Sequence, residues 1–149
     1  RLKALALRIE KAIATVIAAS PDLAAREVLL RTAPGVGPIV AACLLARMPE
    51  LGRLSSRQVA ALAGLAPFDR QSGKPSRPGR CSGGRPSVRR SLYLAARTIA
   101  RSGKGDLAAT TSRLRAAGKP FKLAIVATMR KLLITLNAMV KNNTKYRNA

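Results

Sequence analysis

The chain reads as an all-α protein: a compact helical domain with a helix-hairpin-helix and an irregular basic loop, preceded by the end of a coiled-coil helix. Three observations point there. Hydrophobic residues make up 48% of the 149, yet aromatics are 3% and Trp is absent, so Ala, Leu, Val and Ile must build the core. Such a core favours close-packed helices over a sandwich or barrel. Apolar residues recur at spacings of three and four along most of the chain, and no run alternates with period two strongly enough to read as a buried strand. About six helices are expected, with a short irregular or β-like insert around 64–86.

Residues 2–19 form the first helix, with Leu2, Leu5, Ile9, Ile13 and Val16 on one stripe. The stripe fits the tail of a longer coiled coil. The chain begins at Arg1 and runs straight into this pattern, so a fragment lacking its N-terminal portion is expected. Ser20-Pro21-Asp22 breaks the helix, and Asp22 is expected to cap a second one carrying Leu23, Val28, Leu29 and Leu30 to about Thr32. Next comes Ala33-Pro34-Gly35-Val36-Gly37-Pro38 and an apolar helix from Ile39 to Met48. Helix, Pro-Gly-Val-Gly turn, Ala-rich helix is the helix-hairpin-helix pattern. The backbone N–H groups of Gly35, Val36 and Gly37 could then face a phosphate without reading sequence. A plain connection between packed helices is the other reading.

Ser55 or Ser56 caps a short helix through Val59, Leu62 and Ala63, which Gly64 ends. Residues 64–86 are rich in Gly, Pro, Ser and Arg and form the expected functional loop. Pro86 opens a long helix to about Arg101 with Val88, Leu92, Ala95, Ala96 and Ile99 as its buried stripe. Gly103 and Gly105 separate it from a helix at 106–117. Pro120 opens the last helix, with Leu123, Val126, Ala127, Leu133 and Leu136 on its core face. The division expected is a linker helix over 1–20, a main domain over 21–141 and a polar tail over 142–149 that frays.

Charge narrows the function. Lys and Arg number 28 against 6 Asp and Glu, a net charge of +22. So basic a chain repels itself unless a polyanion neutralises it, and nucleic acid is the usual one. An anionic membrane surface fits less well, because the basic residues are spread along the chain. No signal peptide and no uninterrupted apolar run of membrane-spanning length stands out. Cys43 and Cys81 are far apart and the chain has no His, so a zinc site is not expected and free thiols in a reducing cytoplasm are.

The chemistry concentrates in the loop. Gln71-Ser72-Gly73 presents one hydroxyl between glycine and proline punctuation, followed by Lys74, Arg77, Arg80, Arg85, Arg89 and Arg90. Those cations could neutralise a scissile phosphate. A serine nucleophile also needs a proton acceptor, and Asp69 is the only acid nearby. Ser76, Ser82 and Ser87 are rivals, although Ser87 fits the helix start. Judged without a family, a Ser-Gly step in such a loop is more often a turn. The six acids, Glu10, Asp22, Glu27, Glu50, Asp69 and Asp106, are scattered singly, whereas a two-metal centre needs convergent carboxylates. No metal site is expected in this chain.

Four motifs in order carry a resemblance. Thr32-Ala-Pro-Gly-Val-Gly-Pro, Ala60-Ala-Leu-Ala-Gly-Leu-Ala-Pro, Gln71-Ser72-Gly73, and Gly83-Gly84-Arg85 with Val88-Arg89-Arg90-Ser-Leu-Tyr93 together resemble the C-terminal transposase domain of insertion-sequence family 110, which includes the Piv-type DNA invertases. The likeness spans about residues 28–115. It implies a two-part DNA recombinase. An N-terminal Holliday-junction-resolvase-like domain would supply an acidic Mg²⁺ centre, and a coiled coil would join it to this serine-bearing domain. It also implies a structured non-coding guide RNA, DNA partners, a covalent phosphoserine intermediate at Ser72 and a bacterial, nucleoid-associated cytoplasmic setting. A homo-oligomer through the coiled coil is expected from the reaction. Half of a composite active site, inactive alone, is the consequence for this chain. Two plainer readings stand beside it: a non-catalytic basic helical DNA- or RNA-binding module, and a structural RNA-binding protein.

Overall fold

The computed structural model describes residues 1–68, 80–81 and 83–148, and at 67, 68, 80 and 81 the backbone alone. Seven helices lie among them: α1 (Leu2–Ala19), α2 (Pro21–Leu30), α3 (Pro38–Arg47), α4 (Ser56–Leu62), α5 (Pro86–Ser102), α6 (Gly105–Ala116) and α7 (Phe121–Asn142). Between α4 and α5, β1 (Pro67–Phe68) and β2 (Arg80–Cys81) pair antiparallel, Pro67 opposite Cys81 and Phe68 opposite Arg80. The all-α class expected from the sequence is the class observed, with one helix more than the count of about six.

Capping chemistry explains the boundaries. Ser55 accepts from the Gln58 N–H at 3.3 Å while the Gln58 side chain accepts from the Ser55 N–H at 3.0 Å, a reciprocal capping box that starts α4. The cap of α2 is Ser20 rather than the expected Asp22. Pro21 fits the first helical position, which has no N–H to satisfy, and that shifts the cap one residue ahead of it. Asp22 sits in the first turn, where a carboxylate complements the helix dipole.

The core gathers around α7, which packs against α2, α4, α5 and α6. The stripe expected on α5 is buried in full: Val88, Leu92, Ala95, Ala96 and Ile99. The face expected on α7 is not. Leu123 is 49% exposed, and Val126 and Ala127 are half-buried. Leu133 and Leu136 are buried as expected, but Ile125, Met129 and Leu132 face inward beside them, with Thr128 and Asn137 among them. Both polar residues are satisfied there. Thr128 Oγ1 donates to the Ala124 carbonyl at 3.0 Å and can accept from Thr111 Oγ1 at 2.7 Å, closing the α6–α7 seam. The apolar composition and length of α7 would also suit a membrane span, but half of its most apolar stretch is buried by the other helices. Its apolarity serves the core.

Asn137 fixes the loop between α3 and α4. Its Oδ1 accepts from the Gly52 N–H at 2.8 Å, and its Nδ2 donates to the Leu54 carbonyl at 2.8 Å. Arg26 donates to the Leu51 carbonyl at 3.2 Å. Met48 and Leu51 are buried beneath. This loop holds Glu50 in place, which matters below.

Two residues of the tail are tied back to the fold. The Tyr146 N–H donates to Thr32 Oγ1 at 3.0 Å, the Tyr146 hydroxyl donates to the Asp106 carboxylate, and Asn148 Oδ1 accepts from the Asp106 N–H at 3.1 Å. Lys131 pairs with the same carboxylate at 3.3 Å. Polar composition alone had indicated fraying, but Tyr146 and Asn148 find partners on α6 and the α2–α3 turn.

Among the described residues, the helices α1 packs against are α2 and α3. Ile17 is its one buried residue, and Leu2, Leu5, Ile9, Ile13 and Val16 are all more than 40% exposed.

Candidate nucleic-acid interface

The described residues on either side of the Ser72 segment meet at one pinched point. α4 ends in Ala63, and Gly64 turns the chain with φ of 70°. On the return, Gly83 and Gly84 take φ of 74° and 64° before Arg85 caps α5. Gly64 and Gly84 lie backbone to backbone: a Cβ on Gly84 would collide with Gly64 N and Ala63 C. Only glycine combines that approach with that φ. The Arg85 N–H donates to the Leu62 carbonyl at 3.1 Å, tying the returning chain to the departing helix.

Two arginines staple this crossing. Arg85 grips Glu50 with both guanidinium nitrogens, at 2.8 and 2.7 Å, and also donates to the Arg47 carbonyl. A forked guanidinium on a carboxylate fixes orientation as well as charge. The hydrogen bond from Arg85 holds the Glu50 carboxyl down at about 2, helped by its own backbone N–H and the Arg85 charge. The same pairing raises Arg85 above its ordinary value. Arg89 donates to the Gly83 carbonyl and, at 3.4 Å, towards the Ala63 carbonyl, so it touches both strands of the crossing. An open groove lined by Leu54, Gln58, Leu62, Gly84 and the Arg85–Glu50 pair runs beside it.

The sequence-predicted residues therefore separate. Ser72, Lys74 and Arg77 lie outside the described residues, as do Asp69, Gly73, Ser76 and Ser82, and the Arg80 side chain is likewise not described. Arg85 and Arg89 spend their guanidinium groups on the protein itself. Arg90 is exposed and forms no ion pair among the described residues. In the α2–α3 turn, Gly35 abuts Ala95 of α5, whose carbonyl oxygen lies 2.6 Å from where a Cβ would stand. Val36 is 5% exposed and belongs to the core. Gly37, the N-cap of α3, has open space around it. The inner half of the turn is thus a packed connection, and only Gly37 opens outward.

Sequence reasoning missed the Arg85–Glu50 pair, because 35 residues separate the partners. It also passed over the outer crest of α5, where Tyr93, Leu94, Arg97 and Arg101 are exposed beside Arg90. That signal was available as the polar half of a strongly two-sided helix.

The acids do not form a metal centre among the described residues. Glu50 is held by Arg85, Glu27 by Arg31 at 3.7 Å, and Asp106 by Lys131 and Tyr146. Burial pushes the Asp106 carboxyl up, but the Tyr146 hydroxyl, Lys131 and the Leu107 N–H together hold it below the usual range. These carboxylates do not fit a Mg²⁺ site.

Comparison with known proteins places this architecture. The pattern described as the Transposase IS116/IS110/IS902 family matches residues 27–112, from α2 through the pinched loop and into α6. Pilin gene-inverting proteins of Moraxella bovis and Moraxella lacunata are each 31% identical over 132 residues, covering 85% of this chain. The chain spans 40% of the length of those relatives.

Proposed function

The chain belongs to the IS116/IS110/IS902 transposase family, and from that premise we propose that it is the serine-bearing half of a DNA recombinase. The observation that carries the proposal is the family match across a pinched loop whose sequence holds Gln71-Ser72-Gly73 among cations. In this reading Ser72 Oγ attacks a DNA phosphodiester. The Oγ–P bond forms as the P–O bond to one deoxyribose breaks, the serine proton passes to a base, and the leaving oxygen is protonated. A second strand's hydroxyl then attacks the phosphoserine, restoring Ser72 and joining the new DNA. Lys74, Arg77, Arg80 and Arg90 would neutralise the phosphates involved. The relatives' name, pilin gene-inverting protein, supports DNA rearrangement as the outcome.

The proton acceptor and any Mg²⁺ carboxylates would come from the N-terminal part of the full-length protein, since Glu27, Glu50 and Asp106 are already paired and the acids do not converge among the described residues. Mg²⁺ there would stabilise charge on the scissile phosphate. A structured guide RNA paired with donor and target DNA is the proposed source of sequence choice, resting on the family resemblance. The uncovered stripe of α1 supports assembly through a coiled coil.

The test is Ser72→Ala in the full-length recombinase, with Ser76→Ala as the control. Ser72→Ala should bind DNA as the parent does and lose recombination, while Ser76→Ala keeps both. Equal recombination by Ser72→Ala and parent would remove Ser72 from the mechanism and favour a DNA- or RNA-binding role for this chain within the full-length protein.

A further inference from the structure

The arginines of α5 fall into two sets by direction, and only one set is used inside the fold. Arg85 turns towards Glu50 and the end of α3, and Arg89 towards the Ala63 and Gly83 carbonyls. Arg90, Arg97 and Arg101 lie within about 40° of one another around the helix, along a line about 16 Å long. All three are exposed, and none forms an ion pair among the described residues. No acid occurs in the sequence between Asp69 and Asp106, so nothing within the helix offsets this line. Beside it stand Tyr93, 39% exposed, and Leu94, 59% exposed. The Arg97 guanidinium lies 5.9 Å from the centroid of the Tyr93 ring, so cation and aromatic plate are presented as one unit.

A crest kept for solubility would be charged throughout and would not place a tyrosine and a leucine between its cations. A second copy of this chain is disfavoured by its charge of +22. Duplex nucleic acid would satisfy the arginines but offers no free base face to Tyr93 or Leu94. An unpaired strand offers both phosphates for a cationic line and base faces for an aromatic platform. We infer that the outer crest of α5, with Tyr93 as the stacking residue and Arg90, Arg97 and Arg101 as phosphate contacts, binds an unpaired nucleic-acid strand. The inference rests on nucleic acid as the partner class and not on the chemistry assigned to Ser72.

The experiment uses this chain and fluorescein-labelled 12-mers: oligo-U, oligo-dT and a mixed-sequence DNA duplex, read by anisotropy across a salt series. Stacking of one base is worth about 1–3 kcal/mol, so Tyr93→Ala should weaken single-strand binding by about 5- to 150-fold. Duplex binding should stay within about twofold, and Tyr93→Trp should restore the strand. Arg97→Ala and Arg101→Ala should each lower the single-strand salt slope by about 0.7. Preference for oligo-U over oligo-dT identifies RNA as the natural strand, and equal binding assigns the crest to unpaired strands of either sugar. Thermal melting of each variant checks the fold, and Arg97→Lys keeps the charge where Arg97→Ala melts early. Unchanged single-strand binding by Tyr93→Ala overturns the inference, as does an equal loss on strand and duplex. Either result leaves the recombination reading standing, and a recombining Ser72→Ala would leave this one standing.

Discussion

Replacing Gly84 by alanine isolates the crossing that closes the serine loop. Two costs arise at that position. The residue has φ of 64°, which costs an L-residue about 1–2 kcal/mol. Its new Cβ would also overlap Gly64 N and Ala63 C, backbone atoms with no side-chain freedom to yield. Forcing such an overlap costs about 1–3 kcal/mol more. Gly83 supplies the internal control: its φ is 74°, but a Cβ there meets nothing within 4 Å. Gly83→Ala should therefore lose about 1–2 kcal/mol and Gly84→Ala about 2–5 kcal/mol. Urea unfolding of both variants measures the difference, and the rate of tryptic cleavage between residues 64 and 85 shows whether it is local. Gly84→Ala should be the less stable and the faster cut. Equal stabilities and equal cleavage would refute the idea that Gly64 and Gly84 pin the two ends of the loop together.

Asn137→Ala removes the hydrogen bonds to the partly buried Gly52 N–H and Leu54 carbonyl, at about 0.5–1.5 kcal/mol for each, so urea unfolding should show a loss of about 1–3 kcal/mol. Burial first, then the hydrogen bond to Asp106 and its charge, push the Tyr146 hydroxyl up to about 12. A raised value stabilises the fold fully below pH 10 and loses that contribution as pH rises from 10 towards 12. The gap in melting temperature between the parent and Tyr146→Phe should narrow over that window. Glu50 behaves oppositely: its depressed carboxyl stabilises the loop base above about pH 4.5 and loses this as pH falls towards 2. The gap in melting temperature between the parent and Glu50→Gln should narrow over the same range.

Local patterns were legible in the sequence because their physics is local. The α5 stripe could be read because apolar residues fill one side of that helix and arginines the other. The Ser55–Gln58 box and the helix-ending glycines have partners within a few residues. α7 could not be read in the same way. Leu123, Val126 and Ile134 make it apolar on every side, so periodicity alone did not say which side met the core. Its inward face is instead set by the four helices around it, and it includes Asn137 because a distant loop needed pinning. The tail was misread for the same reason: Tyr146 reaches Thr32 across 114 residues and Asp106 across 40. The site divides likewise. The motif around Ser72 stands in the sequence, but the commitment of Arg85 and Arg89 to the loop base depends on contacts that no spacing announces.

Peptide mass spectrometry of the full-length protein, quenched during incubation with a candidate DNA substrate, bears most directly on the proposed role of Ser72. A tryptic peptide containing Gln71-Ser72-Gly73 should carry a nucleotide joined through phosphate to the serine oxygen, and Ser72→Ala should yield none. A nucleotide on Ser76 or Ser82 instead, or rejoined DNA with no adduct on any serine, would contradict the account.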